Sequence, residues 1–457
     1  MIEDSPRGPA ALPIRKWFDD GFLARIFRNA GALLGGKAVA GVLSLGTLAV
    51  TARCLGPELF GTLILIHSYI KLVGGLTKFQ SWQAVIHYGA ASLEAKRVED
   101  LRGLIKFTTA LDLASALIGM AIAMSLAGLA GGWLGWGEDT TSLVMLYSLL
   151  IAVTIKATPI GVLRLFDRFK LIALQSPLSP AVGLIGVGLA YAWDGGLSAY
   201  LAAWFAAGLV ESAALVILGW RELARQNLLR GLNFSLRGLV DPHPGLWRFV
   251  WATNIFTSLS AASSHLVTLV LGWLLGPAAA GLFKIAHQFA SVLVVPAAAL
   301  RRTIYPEFAK LAAKGEPRLL RKQMLRAGLI AGSVAVIVVL VIAAIGEPLI
   351  RLIVGEPYAA AAGLLILLAA ASAVLLYGFA LEPVFFALGK PGIMLRLGVI
   401  TAALNLVLIF LLVAQYGLMG AGVAALASTV VYVGLATMIA LDKTKSSSPG
   451  EAPPQGG

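Results

Sequence analysis

Four lysines (Lys37, Lys71, Lys78, Lys284) and three histidines (His67, His265, His287) stand inside long apolar runs of this chain. An ionisable side chain in such a run is expensive to bury, and it ordinarily faces a polar cavity or a partner. Spacing groups these residues. His67, Lys71, Gly74 and Lys78 follow at steps of four, three and four, which is one helical face. Lys284, His287, Gln288 and Ser291 share another face, and Asn254, Ser258, His265 and Thr268 a third. Lys37, Ser44 and Thr51 form a fourth stripe, with small Ala40 and Gly41 between. Ammonium groups in a partly wet, low-dielectric vestibule favour an anion of high charge density, such as a phosphate or pyrophosphate. Cationic ligands would call for carboxylates instead. Lys78 and Lys284 could equally snorkel toward an interface.

Three acids also fall within apolar runs: Asp112, Glu211 and Glu382, the last followed by Pro383. Any of them could carry a coupling proton or sodium ion, or simply pair with a neighbouring cation such as Lys156. Other chemistries are excluded. The chain has one cysteine, Cys54, and five scattered histidines, so neither a disulfide framework nor a zinc motif is present. It also lacks the glycine-rich G-x-x-x-x-G-K-[ST] loop of nucleotide hydrolases. No resident cofactor is expected.

The elements that position these residues must be membrane helices. Of 457 residues, 58% are hydrophobic and only 13% charged, and the mean hydropathy is +0.85. A water-soluble domain carries about 25% charged residues. Apolar runs predict twelve spans, near 29–52, 60–82, 104–130, 140–163, 171–192, 197–220, 247–274, 280–302, 325–346, 359–388, 393–414 and 418–441. The fold class is therefore an all-α polytopic membrane protein. Of the 36 Lys and Arg, 28 fall on one side of this topology and two, Arg53 and Arg351, on the other. The positive-inside rule then places both termini in the cytoplasm. The net charge of +13 reads as membrane anchoring, not as a nucleic-acid surface.

The spans divide the chain into residues 1–28, a cytoplasmic interfacial segment without a cleavable signal peptide; 29–220, a first lobe; 221–246, a linker; 247–441, a second lobe; and 442–457, a disordered tail. Residues 303–322 read as a further interfacial helix. Connections on the cation-poor side are too short to build an external catalytic domain, which favours transport over enzymatic chemistry.

The lobes are two copies of one pattern. L-G-P-E-L-F-G-T-L-I-L-I-H at 55–67 matches L-G-P-A-A-A-G-L-F-K-I-A-H at 275–287, an offset of 220. The register pairs Leu55, Gly56, Pro57, Gly61 and His67 with Leu275, Gly276, Pro277, Gly281 and His287. It continues with Arg28 and Arg248, Ser44 and Ser264, Val50 and Val270, and Lys170 and Lys390, then drifts to Gly195 opposite Gly417. Six spans per copy make a parallel 6+6 repeat, with the site expected between halves near mid-bilayer.

The stretch T-A-R-C-L-G-P-E-L-F-G at 51–61, with D-R-F-K at 167–170, resembles the signature of bacterial polysaccharide flippases. These belong to the multidrug/oligosaccharidyl-lipid/polysaccharide (MOP) exporter superfamily. The resemblance covers about residues 20–441. It implies a V-shaped pair of six-helix lobes that alternates between inward- and outward-open states in the bacterial inner membrane. It implies a substrate, undecaprenyl-pyrophosphate-linked oligosaccharide, destined for O-antigen, exopolysaccharide or capsule (surface polysaccharide) assembly. It also implies that Lys37, Lys71, Lys78 and Lys284 serve the pyrophosphate, with polymerase or ligase machinery as partners. One departure is F-Q-S-W-Q at 79–83, where the family often has F-G. Two alternatives stay open: a small-molecule exporter of the same fold, and a non-transporting component of a glycan assembly complex.

Overall fold

The computed structural model describes residues 20–229 and 242–444. Those residues form helices and short turns, with no strand among them. Helix α1 runs Asp20–Thr77 and divides into two passes at Gly56, whose φ of 71° and ψ of 171° break the helix ahead of Pro57. It is followed by α2 Trp82–Glu94, α3 Val98–Leu134, α4 Glu138–Tyr147, α5 Leu149–Val153, α6 Ala157–Leu165, α7 Phe169–Gln175, α8 Leu178–Ala192 and α9 Leu197–Arg225. The second half contains α10 Leu246–Leu275, α11 Pro277–Ser291, α12 Val295–Ala313, α13 Pro317–Ile353, α14 Ala361–Tyr377, α15 Leu381–Ala387, α16 Pro391–Tyr416 and α17 Leu418–Lys443. Nine runs among the described residues are long and apolar enough to cross a membrane, and one of them, Gly35–Glu94, spans 60 residues. With the division at Gly56 and the passes of α10 and of α11–α12, the order is consistent with twelve.

The backbone carries the repeat. Gly276, between α10 and α11, has φ 89° and ψ 173°, close to the values at Gly56. Left-handed residues then recur at matching connections: Lys96 and Gly315, Gly135 and Gly355, and Asp167 and Gly389. Helices α3 and α13 are each 37 residues long. The fourth pass of each half is broken at the same place, by Thr154–Lys156 before α6 and by the 3₁₀ turn Gly378–Ala380 before α15. These landmarks correct two pairings. The helix starts at Leu197 and Leu418 put Gly196, not Gly195, opposite Gly417. The left-handed Asp167 and Gly389 put Arg168, not Lys170, opposite Lys390, because the offset has grown from 220 to 222 by this point.

The halves meet at the Gly-Pro ends. A Cβ on Gly61 would collide with the Pro277 carbonyl, and one on Gly281 would crowd Phe60. Nearby, Tyr358 Oη donates to the Ala52 carbonyl at 2.8 Å and stacks edge-on to Phe60 at 5.8 Å. Arg53 donates to the Leu352 carbonyl, while Arg351 pairs with Glu347 and Glu356. Both cations of the cation-poor side thus serve the closed end.

At the basic end the start of α10 crosses onto the first half. Phe79 meets Trp251 at 5.0 Å, Phe107 meets Trp247 at 5.1 Å, and His87 stacks on Phe249 at 5.0 Å. Tyr88 donates to the Pro244 carbonyl at 3.3 Å. The expected segment edges also shift. Helix α1 is continuous from Asp20, so residue 28 is not a structural boundary, and α9 runs on to Arg225. Residues 303–322 are divided between the end of α12 and the start of α13. Residues 1–19, most of the linker (230–241) and 445–457 lie outside the described residues.

Candidate functional site

The broken fourth pass of the first half organises the site. A helix interrupted inside a bilayer exposes carbonyls at one stump and N–H groups at the next, and lipid cannot satisfy them. Here Lys78 Nζ binds the Thr154 carbonyl at 3.0 Å and Thr154 Oγ1 at 2.6 Å, at the carbonyl end of α5. Asp112 binds the other stump. Its Oδ2 accepts from Thr158 N–H at 2.9 Å and Thr158 Oγ1 at 2.7 Å, and its Oδ1 accepts from Ser81 Oγ at 2.5 Å. Cation at the C-terminal stump and carboxylate at the N-terminal one match the helix dipole. Asp112 is buried and fully engaged, so the structure uses it as a clamp.

Beside this break is a cavity of about 330 Å³ whose lining includes Lys71, Lys78, Lys156, Arg164, Glu211 and His265. Lys156 Nζ pairs with Glu211 Oε1 at 2.5 Å, the pairing considered from sequence. Arg164 also lies 4.3 Å over the Trp82 ring. A second cavity of about 280 Å³ shares Lys71 and Glu211 and adds His67, Trp204, Lys284 and Gln288. His67 is held there by Tyr147 Oη at 2.9 Å and edge-on by Trp204 at 5.0 Å. The two cavities thus draw in Lys71, Lys78, Lys156, Arg164 and Lys284 against two carboxylates, one clamped and one paired. Among the described residues no group of three or more His, Cys, Asp or Glu could hold a metal ion.

Not every candidate joins this group. Lys37 is exposed and is not among the residues that line either cavity, because its neighbour Gly36 is the residue that meets Ala173 on α7. Asn254 is buried and accepts from Ser258 Oγ at 3.2 Å, within its own helix. Glu382 pairs with Arg301 at 3.3 Å in the second half, away from the lysines. His287 lines a separate cavity in that half. Arg164, just beyond the fourth predicted span, and the break beside Lys156 are not among the sequence-based expectations; an intramembrane Lys156 close to Pro159 is the available signal.

Fold and site together define a polytopic helical membrane protein, two repeated halves with a polar site between and within them. Among solved structures, the chain is similar to a multidrug resistance MATE family transporter of the MOP superfamily in an inward-facing conformation. The TM-score is 0.73 at 15% identity, covering 90% of this chain and 96% of that one. It is also similar to the lipid II flippase MurJ in an inward closed conformation, with TM-score 0.66 at 13% identity over 89% and 86% of the two chains. In sequence, it is 34% identical over 351 residues to the inner membrane protein YghQ of Escherichia coli (strain K12), covering 76% of this chain and 98% of that protein. Residues 26–312 match the family described as polysaccharide biosynthesis protein. The chain belongs to that family.

Proposed function

We propose that this protein is a secondary transporter of the bacterial inner membrane that flips a pyrophosphate-linked, lipid-borne oligosaccharide for surface polysaccharide assembly. The observation that carries the reading is the cationic lining around Lys71, with lysines on three elements and both nearby carboxylates already engaged. Such a lining suits a dense anion. A pump for cationic compounds would need free carboxylates there.

The Gly-Pro ends are closed, so the working cleft opens on the basic side, which the positive-inside rule makes cytoplasmic. The headgroup enters from that leaflet, the phosphates engage Lys71 and its neighbours, and the lipid chain stays in the bilayer. Rocking of the halves then exposes the glycan to the opposite side. Of the three acids, Glu211 suits the coupling of a proton or sodium ion best, since it lines both cavities and its neutralisation would free Lys156 and make both more positive.

The test is a deletion strain assayed for surface polysaccharide and for lipid-linked oligosaccharide in the inner membrane. Loss of surface glycan with precursor held on the cytoplasmic face is expected. Unchanged glycan and precursor with altered resistance to small cationic compounds would replace this reading with drug export.

A further inference from the structure

The two halves hold cavities at equivalent places, and their linings differ in kind. Helix starts at Leu197 and Leu418 set an offset of 221 for α9 and α17, while Arg168 and Lys390 set 222 for α8 and α16. By that register Gly183, Ala207, Gly208 and Glu211 of the first half correspond to Asn405, Ser428, Thr429 and Tyr432. The first four line the Lys71–Lys284 cavity. The second four line a cavity of about 350 Å³ inside the second half, with His287 opposite His67 of the repeat.

No Lys, Arg, Asp or Glu lines the second cavity. It therefore has nothing to balance a phosphate or an inorganic cation, and its mostly apolar wall carries a group of neutral polar side chains, His287, Thr401, Asn405, Ser428, Thr429 and Tyr432. Asn405 Oδ1 accepts from Ser428 Oγ at 3.2 Å. Its Nδ2 has no protein acceptor among the described residues, and neither Tyr432 Oη nor the His287 ring has a hydrogen-bond partner among them. Neutral donors and acceptors are costly in a bilayer interior and mark function when they line a cavity. Phe283 and Tyr432 add ring faces. Neutral hydrogen-bonding groups beside aromatic faces are the chemistry that recognises a sugar ring.

Helix α11 is the wall common to both cavities, with Lys284 and Gln288 on the charged side and Phe283 and His287 on the uncharged side. A helix with its side chains is about 10 Å across, a step that a pyrophosphate with its attached sugar can span. We propose that the cavity bounded by α10, α11, α14, α16 and α17 is a saccharide subsite, taking an uncharged sugar residue of the same headgroup whose phosphates lie against Lys71. The proposal rests on the anionic-headgroup reading above.

The experiment measures binding of two probes to the purified full chain in nanodiscs: polyprenyl pyrophosphate, and the same lipid bearing the first sugar or disaccharide of the host's own repeat unit. Asn405→Leu and the isosteric Thr429→Val are expected to weaken the sugar-bearing lipid about tenfold and threefold and to leave the bare pyrophosphate unchanged. Lys71→Gln should weaken both alike. Equal loss on both probes in the Asn405 and Thr429 variants, or loss on neither, overturns the subsite. Failure of the wild-type chain to bind either lipid overturns the anionic-headgroup reading itself, a different and separable result.

Discussion

In the first half, α1 packs closely against α8, where Gly183 has no side chain to hold the two apart. Thr47 Oγ1 reaches the Pro180 carbonyl at 3.1 Å, Gly183 lies against Thr47, and Trp204 Nε1 reaches Thr51 Oγ1 at 3.4 Å. In the second half the corresponding positions are Ala402, Asn405 and Ala425, and the start of α10 has crossed onto α2 and α3. Only Asn405 is larger than its counterpart, Gly183, and a polar side chain there holds apart backbones that a glycine lets approach, while Ala402 and Ala425 leave open the space that Pro180 and Trp204 fill. One half is therefore filled beside its charged pocket and clamped across a broken helix. The other keeps an uncharged hollow. A duplicated fold has separated two chemistries, and the lesson is that such a repeat should be read for where its copies disagree.

The largest expected effect comes from removing the charge that distinguishes the first half. Lys71→Ala should abolish glycan export with membrane levels of the protein unchanged, as measured by surface polysaccharide and immunoblot. Next is the clamp, which exists only in the first half, since α13 carries no acid between Glu316 and Glu347. Asp112→Ala strands the Thr158 and Ser81 donors and should cost ~3 kcal/mol, read as a fall in thermal stability in detergent, with Asp112→Asn restoring part of it. Bringing a second-half residue into the first half sharpens the contrast. Gly183→Asn overpacks the α1–α8 contact and should cost about 2 kcal/mol by the same assay. The smallest effect should be Tyr432→Phe, losing ~0.6 kcal/mol, roughly threefold, in affinity for the sugar-bearing lipid only.

Much of this contrast was visible in the residues, and some was not. The stripe His67–Lys71–Lys78 and the pairing of Lys156 with Glu211 follow from helical spacing and from the cost of charge in lipid. The L-G-P repeat announced itself because Gly56 and Gly276 adopt a backbone that strains other residues. The break at Thr154–Lys156 was hidden, since hydropathy sums an apolar run without registering where its hydrogen bonds stop. Lys37 misled because polar spacing identifies a shared face without showing which way that face turns. The uncharged cavity was least legible. Asn405, Ser428 and Tyr432 barely disturb hydropathy, and their meaning emerges only when α16 and α17 bring them together.

The most direct test uses purified protein in sealed liposomes that carry a polyprenyl-pyrophosphate-linked saccharide loaded in one leaflet, with glycosidase accessibility of the sugar followed from the other side. The wild-type chain should transfer the sugar across, and Lys71→Ala should fall to the rate of empty liposomes. Wild-type transfer no faster than empty liposomes, or a Lys71→Ala rate equal to wild type, would contradict the assignment of the charged first half to the phosphates of a flipped lipid.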